Sequence, residues 1–296
     1  MASPPSRSSG TASRLHGLTP ATASLVRDAA ARIARGDLDN AERVMTGVLA
    51  LAPDHAEALR LGGWIDHRRG RLDDAAERYR RALESRPDDA SVLAQWGELK
   101  IDQGHGDEGL ALLRRGCDLQ PREADLWFRL GVQLDRQGHH QAAVDAAARV
   151  LRIDRAHPIV RMLIARNLQA LGRIDDAAAE YRQVIAERGA RAWQAWFALV
   201  DLKTTRLDAR ETQALERIAG DPAHSSEVRA TLDFALGKVC EDAGRHAEAL
   251  AAFKRANTAK RRSLQWNSRT YTQHVDAIIA AFAKQPVPVR ASGSTS

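Results

Sequence analysis

One spacing constrains this chain more than any other feature. Glycines stand at Gly36, Gly70, Gly104, Gly138 and Gly172, each 34 residues after the last. Prolines at Pro53, Pro87 and Pro121 keep the same interval of 34, and the next place in that series holds Arg155. Two kinds of punctuation share one period and stay in phase, so the chain is built from a repeated unit. Glycine just past a helix takes the left-handed conformation that ends it, and proline cannot continue a helical hydrogen-bond ladder. Between these marks apolar residues recur at helical spacing. In the second copy Leu59, Gly63 and Trp64 precede the turn, and Ala75, Tyr79, Ala82 and Leu83 follow it. Each copy reads as two antiparallel helices, with small residues letting them approach and large ones filling the gap.

Composition adds limits. Ala, Leu and Arg, which lose little entropy in a helix, are abundant, while aromatics make up 5% of the 296 residues. No run approaches the roughly 20 apolar residues that a membrane span needs. Residues 1–20 are rich in Ser, Pro, Ala and Gly without an apolar stretch, which predicts a disordered leader and not a secretion signal. The expected location is the cytoplasm. Cys117 and Cys240 form no CxxC pair, so neither a disulfide framework nor a zinc site follows, and both read as small core residues. The formal charge of +6 is uneven: residues 254–296 hold eight Lys or Arg against one acid, Asp276. That basic end reads as a solvated helix surface, with attraction to nucleic acid through charge alone as the alternative.

The second copy, EALRLGGWIDHRRGRLDDAAERYRRALESRPDD from Glu57 to Asp89, resembles the tetratricopeptide repeat, or TPR. The third copy keeps Trp96, Gly97, Gly104 and Pro121 but has Gly109 where the family has alanine. The fourth keeps Trp127, Leu130, Gly131, Gly138 and Ala143 and lacks the proline. The fifth keeps Ala165, Gly172, Ala177 and Tyr181, and the first, weaker, keeps Ala29, Gly36, Ala41 and Pro53. The resemblance implies an all-α fold, a right-handed superhelical solenoid of helix-turn-helix repeats, with five of them over residues 21–190. Beyond Ala190 the phase breaks, because Gly244 lies 72 residues after Gly172. Residues 191–263 are expected to hold a degenerate repeat near Trp193 to Ala219, a connection through Gly220-Asp221-Pro222, and a cleaner repeat from Phe234 to Asn257. A helix within residues 264–283 is expected to cap the array, and residues 284–296 to form a disordered tail.

A narrower resemblance concerns the C-terminal third. The stretch from Trp196 to Ala219, followed by Phe234 to Arg262, is similar to the repeat region that precedes the catalytic domain in bacterial TPR-containing sulfotransferases. In that family a strand and a phosphate-binding PRSGT-type loop come next, opening a helix that meets the anion. Here Pro286 to Ser296 and Pro5 to Thr11 echo such a loop only faintly and without its strand–loop–helix context. No Walker loop, GxGxxG, HExxH or GxSxG is present, and His139-His140 at a turn lack further ligands at metal-binding spacing. The chain is therefore expected to be non-catalytic, without cofactor or metal.

TPR arrays present a concave face lined by the first helix of each repeat. Carried onto this sequence, the family's positions give Arg60, Trp64 and His67 in the second repeat, beside Glu57, and Glu98 and Ile101 in the third. The fourth gives Phe128, Val132 and Asp135, beside Asp125, and the fifth gives Met162, Arg166 and Gln169. Their spacing of three and four places them on one helix face. Trp64, Phe128 and Met162 suit a groove for a peptide or helix, with Arg60 and Arg166 pairing acids; packing against neighbouring helices is the competing reading. The partner is expected to be a protein or peptide, with a sulfotransferase catalytic chain as one candidate and no specific nucleic acid; the alternative is that the chain is the regulatory or substrate-docking half of a TPR-containing sulfotransferase whose catalytic domain is missing or encoded separately. Trp96 and Trp127 are expected to pack.

Overall fold

The computed structural model describes residues 14–155, 157, 159–187, 192–202, 205–263 and 268–283. Every regular element among them is an α-helix, fifteen in all, arranged as an all-α repeat array. The chain divides into two compact units, Met1–Ala195 and Trp196–Ser296.

The first unit holds five helix pairs: α1 (Pro20–Ala34) with α2 (Leu38–Leu51), α3 (Ala56–Arg68) with α4 (Leu72–Ser85), α5 (Ala90–Asp102) with α6 (Gly106–Leu119), α7 (Ala124–Arg136) with α8 (His140–Ile153), and α9 (Val160–Ala170) with α10 (Ile174–Ala186). The period is made by local chemistry. Each turn glycine of the series has φ between +74° and +88°, a conformation that side chains disfavour. Past each one, a backbone N–H bonds back to the carbonyl five residues earlier, as in Arg71 N to Asp66 O at 2.9 Å and His105 N to Lys100 O at 2.8 Å. This closes the helix end with its free carbonyls satisfied. The proline is dispensable: in the fourth repeat α8 still stops at Ile153, with Asp154 extended.

A second device repeats at the same interval. The Arg81 guanidinium donates to Pro53 O at 3.0 Å and pairs with Asp54 at 2.5 Å. One repeat on, Arg115 donates to Pro87 O at 3.1 Å and to Asp88 at 2.9 Å. The next copy has Arg122 in place of the aspartate, and there Arg149 instead lies over the Trp127 ring, 5.6 Å from its centroid.

The core runs along the seams between helices. Val26, Ile33, Met45, Leu61, Trp64 and Ile65 form one buried cluster across the first two repeats. Tyr79 packs with Leu59, Ala75, Val92 and Leu99 in the next, and Leu110, Leu113, Cys117, Leu126 and Leu130 continue the series. The unusual Gly109 has a structural reason. A Cβ built on it would stand 2.4 Å from the carbonyl oxygen of Gly97, so two bare backbones touch where α5 crosses α6.

In the second unit, α11 (Ala192–Asp201) spans the division, followed by α12 (Ala209–Ala219), α13 (Ser226–Asp242), α14 (His246–Ser263) and α15 (Ser268–Ala283). Asp208 and Glu211 form a reciprocal capping box on α12. The pair α13 and α14 packs as two helices about a glycine turn: Gly237 meets the Phe253 ring, Ala249, Ala252 and Ala256 are buried, and Gly244 closes the turn at φ +73°.

One expected boundary changes. The leader does not run to residue 20. Leu15, 6% exposed, joins the first core cluster, and Thr19 caps α1 by accepting from Thr22 N. Leu15 in the core, the Thr19 cap and the contacts of Arg14 with Glu57 and Ser91 together hold this stretch. Residues 1–13 and the tail 284–296, with their two loop-like echoes, lie outside the described residues. The helix expected within residues 264–283 is present as α15, and on it Tyr271, Ile278 and Ile279 are exposed, Ile279 at 61%.

Candidate functional site

The first helices of the repeats, α1, α3, α5, α7 and α9, share a face in the first unit. Ion pairs cross it from one repeat to the next. Arg60 grips Glu57 with Nε at 2.8 Å and Nη2 at 2.5 Å. Arg14, entering from the N-terminal side, reaches Glu57 at 3.3 Å, Ser91 Oγ at 2.9 Å and Asp89 at 3.4 Å. Arg86 donates to the carbonyl of Arg14 at 3.1 Å and holds that segment down. Further along, Arg129 joins Glu98 at 3.2 Å and Asp125 at 2.7 Å. His67 meets Asp102 at 2.9 Å, and Arg166 pairs with Asp135.

Two carboxyls on this face respond to burial in opposite ways. Burial opposes charge on both. At Glu57 the guanidiniums of Arg60 and Arg14 outweigh it and hold the carboxyl below its ordinary value. At Glu98 burial prevails over Arg129 and raises the carboxyl above its ordinary value.

Beside Arg14 the face opens into a cavity of about 250 Å³, walled by α1, α3, α5 and α7. Arg60, 4% exposed, and Gln95, 2% exposed, line it. Arg60 Nη1 has no acceptor and Gln95 Oε1 no donor. Unmet buried groups of this kind call for an explanation.

A family model described as tetratricopeptide repeat matches residues 28–90, 95–158 and 162–202. The chain belongs to the tetratricopeptide-repeat family. Solved structures of similar fold include that of PilF of Pseudomonas aeruginosa, at TM-score 0.56 and 19% identity over 78% of this chain and 97% of that one. A tetratricopeptide repeat protein from Parabacteroides merdae has TM-score 0.52 and 18% identity, covering 86% and 97%. A thermophilic TPR protein of Thermus thermophilus has TM-score 0.50 and 18% identity, covering 62% and 100%. No curated protein sequence matches the chain. At such identities the likeness establishes the TPR fold and nothing finer.

The TPR face does not hold the expected residues equally. Trp64 lies in the core and not in the groove: it is 4% exposed and fills the seam between the first two repeats, with Arg68 over its ring at 5.8 Å. The segment carrying Leu15 and α1 cover it, a contact invisible while residues 1–20 read as disordered. Arg60 and Glu98 are on the face but buried in ion pairs. Ile101 packs partly on the core. Gln169 accepts from Tyr181 Oη at 3.3 Å. Phe128, Val132 and Met162 are half-buried, Phe128 with the His157 ring 4.8 Å away. His67 and Asp135 sit half-buried in their pairs, and Arg166 is exposed.

Sequence reasoning missed Arg14, Gln95 and Arg129. For the last two a signal existed. Positions 27, 61, 95, 129 and 163 share one register, and read Arg27, Leu61, Gln95, Arg129, Leu163. Three of the five are polar in a register that elsewhere holds leucine. Trp127 is partly packed as expected and donates Nε1–H to Pro121 O at 3.0 Å; Trp96 packs with its indole N–H unpartnered. Cys117 and Cys240 are buried free thiols, Cys117 pushed up to about 12 by burial. Among the described residues no group of three His, Cys, Asp or Glu could hold a metal ion, and no helix is long and apolar enough to cross a membrane.

Proposed function

We propose that this TPR chain is a non-catalytic interaction scaffold whose α1–α3–α5–α7–α9 face binds a polypeptide. TPR proteins generally mediate protein–protein interaction. The observation that supports this for the present chain is the cavity on that face, beside which Arg60 and Gln95 are buried and each leaves one polar atom unpartnered. A face meant only for water gains nothing by leaving one guanidinium nitrogen and one amide oxygen buried without partners. Further along, Phe128, Val132 and Met162 offer half-buried apolar ground for a partner's side chains. The crossing ion pairs set register and orientation more than affinity.

The test is capture by the full chain carrying a photo-crosslinker at exposed Arg166, compared with a Phe128→Ala/Met162→Ala variant. Crosslinking to a polypeptide, with capture reduced at least tenfold in the variant, is the expected result. Undiminished capture by a variant of unchanged helicity refutes the face. A second reading rests on the similarity of residues 196–262 to the repeats preceding sulfotransferase domains: the partner is then a sulfotransferase catalytic chain. Titration with such a chain decides it, and absence of saturable binding removes the reading.

A further inference from the structure

We propose that residues 14–16 are an internal ligand of this face, and that the site they fill recognises an arginine followed by an apolar residue in the partner polypeptide. This rests on the reading of that face as a polypeptide-binding surface. Arg14, Leu15 and His16 are held as a bound peptide is held, by side chain and main chain together. The Arg14 guanidinium donates to Glu57 at 3.3 Å and to Ser91 Oγ at 2.9 Å, and stands 3.4 Å from Asp89. Leu15 joins the buried cluster of Val26, Ala29 and Trp64. Two main-chain carbonyls are gripped as well: Arg86 donates to that of Arg14 at 3.1 Å, and His55 Nε2 to that of His16 at 3.2 Å. His55 Nδ1 accepts from Ala58 N, which leaves the ring proton on Nε2.

The site stands without its occupant. Asp89 is fixed as the N-cap of α5, accepting from Ser91 N and Val92 N, and Glu57 is gripped by Arg60. Neither acid needs Arg14 to hold its place. Nor does α1 need the segment, because Thr19 closes its first turn by accepting from Thr22 N. Gly17, at φ +93° and with open space where a Cβ would stand, joins the segment to that cap. Residues 14–16 can therefore leave as a unit while the helices beneath them stay.

The acceptors select the ligand. Two carboxylates and a hydroxyl oxygen surround the Arg14 head, a spread that suits the planar fork of a guanidinium better than the point charge of an ammonium. Next to it, Leu15 leaves a cavity of about 250 Å³ open along Val26, Ala94 and Leu126, so a larger apolar side chain has room there. A partner carrying such a pair must displace the internal ligand first, and its apparent affinity is scaled down by the fraction of time the site is open.

The experiment measures fluorescence anisotropy of a labelled peptide with the sequence of residues 12–19, titrated with the full chain and with its Arg14→Ala/Leu15→Ala variant. The variant, at unchanged helicity, is expected to bind the peptide saturably and at least tenfold tighter than wild type. Peptides carrying Arg14→Gln or Leu15→Ser are expected to bind the variant at least tenfold more weakly. No saturable binding to the variant, equal affinity of the two chains, or equal affinity of the three peptides overturns the proposal. If the double variant loses helicity, Arg14→Ala, which keeps Leu15, takes its place: a gain of at least threefold over wild type is expected, and no gain overturns the proposal. Dimerisation of wild type that the variant abolishes also overturns it, by giving the site to a second copy. Partner capture is read separately through Phe128 and Met162. Failure of the peptides with capture intact removes only the internal ligand. Failure of capture with the peptides binding removes the wider face and leaves the arginine site.

Discussion

Changing Gly109 to alanine gives the third repeat the residue that Ala75, Ala143 and Ala177 supply at the same register, and should nonetheless weaken it. Two effects compete. Alanine in a helix is favoured over glycine by about 1 kcal/mol. Against this, the new Cβ stands 2.4 Å from Gly97 O and 2.5 Å from Ile101 Cγ1. An ordinary carbon–oxygen contact needs about 3.3 Å or more. Ile101 can turn aside, but a backbone carbonyl cannot, so α5 and α6 must part by roughly 1 Å, enough to forfeit a quarter to a half of each dispersion contact along the seam. Overpacking at the upper end of its usual range costs about 3 kcal/mol, leaving a net loss of about 2 kcal/mol. Gly131 is the control. It holds the place of Gly97 one repeat later, yet a Cβ there meets nothing nearer than Leu163 Cδ2 at 3.4 Å. Gly131→Ala is expected to be neutral or stabilising by up to about 1 kcal/mol. Because repeat arrays open locally, the assay is amide hydrogen exchange resolved by helix, supported by urea unfolding. Protection in α5 and α6 should fall about 30-fold in Gly109→Ala, with α13 and α14 unaffected. Protection equal to wild type in Gly109→Ala, or a loss as large in Gly131→Ala, would refute the steric reasoning.

Tyr79 is fully buried with an unpartnered hydroxyl, so Tyr79→Phe should cost nothing and gain up to about 1 kcal/mol in urea unfolding. Glu57, with its carboxyl held below the ordinary value, contributes stability above its unfolded pKa that is lost as pH falls through the lower native one. Glu57→Gln should therefore be less stable than wild type at pH 7, with the gap closing as pH drops below about 4.3, followed by urea midpoints across pH. Glu98, raised by burial, has the opposite sign: its contribution is present below the unfolded pKa and lost as pH rises through the native one, so Glu98→Gln should compare best with wild type at neutral pH. Cys117 and Cys240, buried and with raised pKa values, should resist iodoacetamide at pH 8 in the native chain and react once urea unfolds it.

The repeats were legible in the sequence because their punctuation is local. A glycine at positive φ and the bond that skips it depend on few residues, so a 34-residue spacing maps directly onto helix ends. The face was harder to read. Trp64 has the position of a groove residue, but its fate is set by Leu15 and Val26, which lie far away in sequence. Gln95 and Arg129 lie one residue from the positions carried over from the family, and one residue on a helix turns a side chain by about 100°. Arg14 was lost for another reason: in a Ser- and Pro-rich stretch, one arginine and one leucine carry no periodic signal. The contact of Gly97 with Gly109 shows the reverse case, a departure from the family pattern that looked like decay and is a close crossing of two backbones.

The location of the indoles decides what light can report. Trp64 and Trp196 are buried and Trp96 is packed with its N–H unpartnered, while Trp127 is fastened to Pro121 beneath Arg149. Their emission therefore measures whether the seams between helices are closed. A partner settling over Phe128 and Met162 would leave those four rings nearly undisturbed, whereas a repeat coming apart would expose them to water and move the spectrum to the red. For these four of the chain's six tryptophans, emission is thus a gauge of folding and a poor one of binding, and a titration that changes it strongly signals that the array itself has yielded.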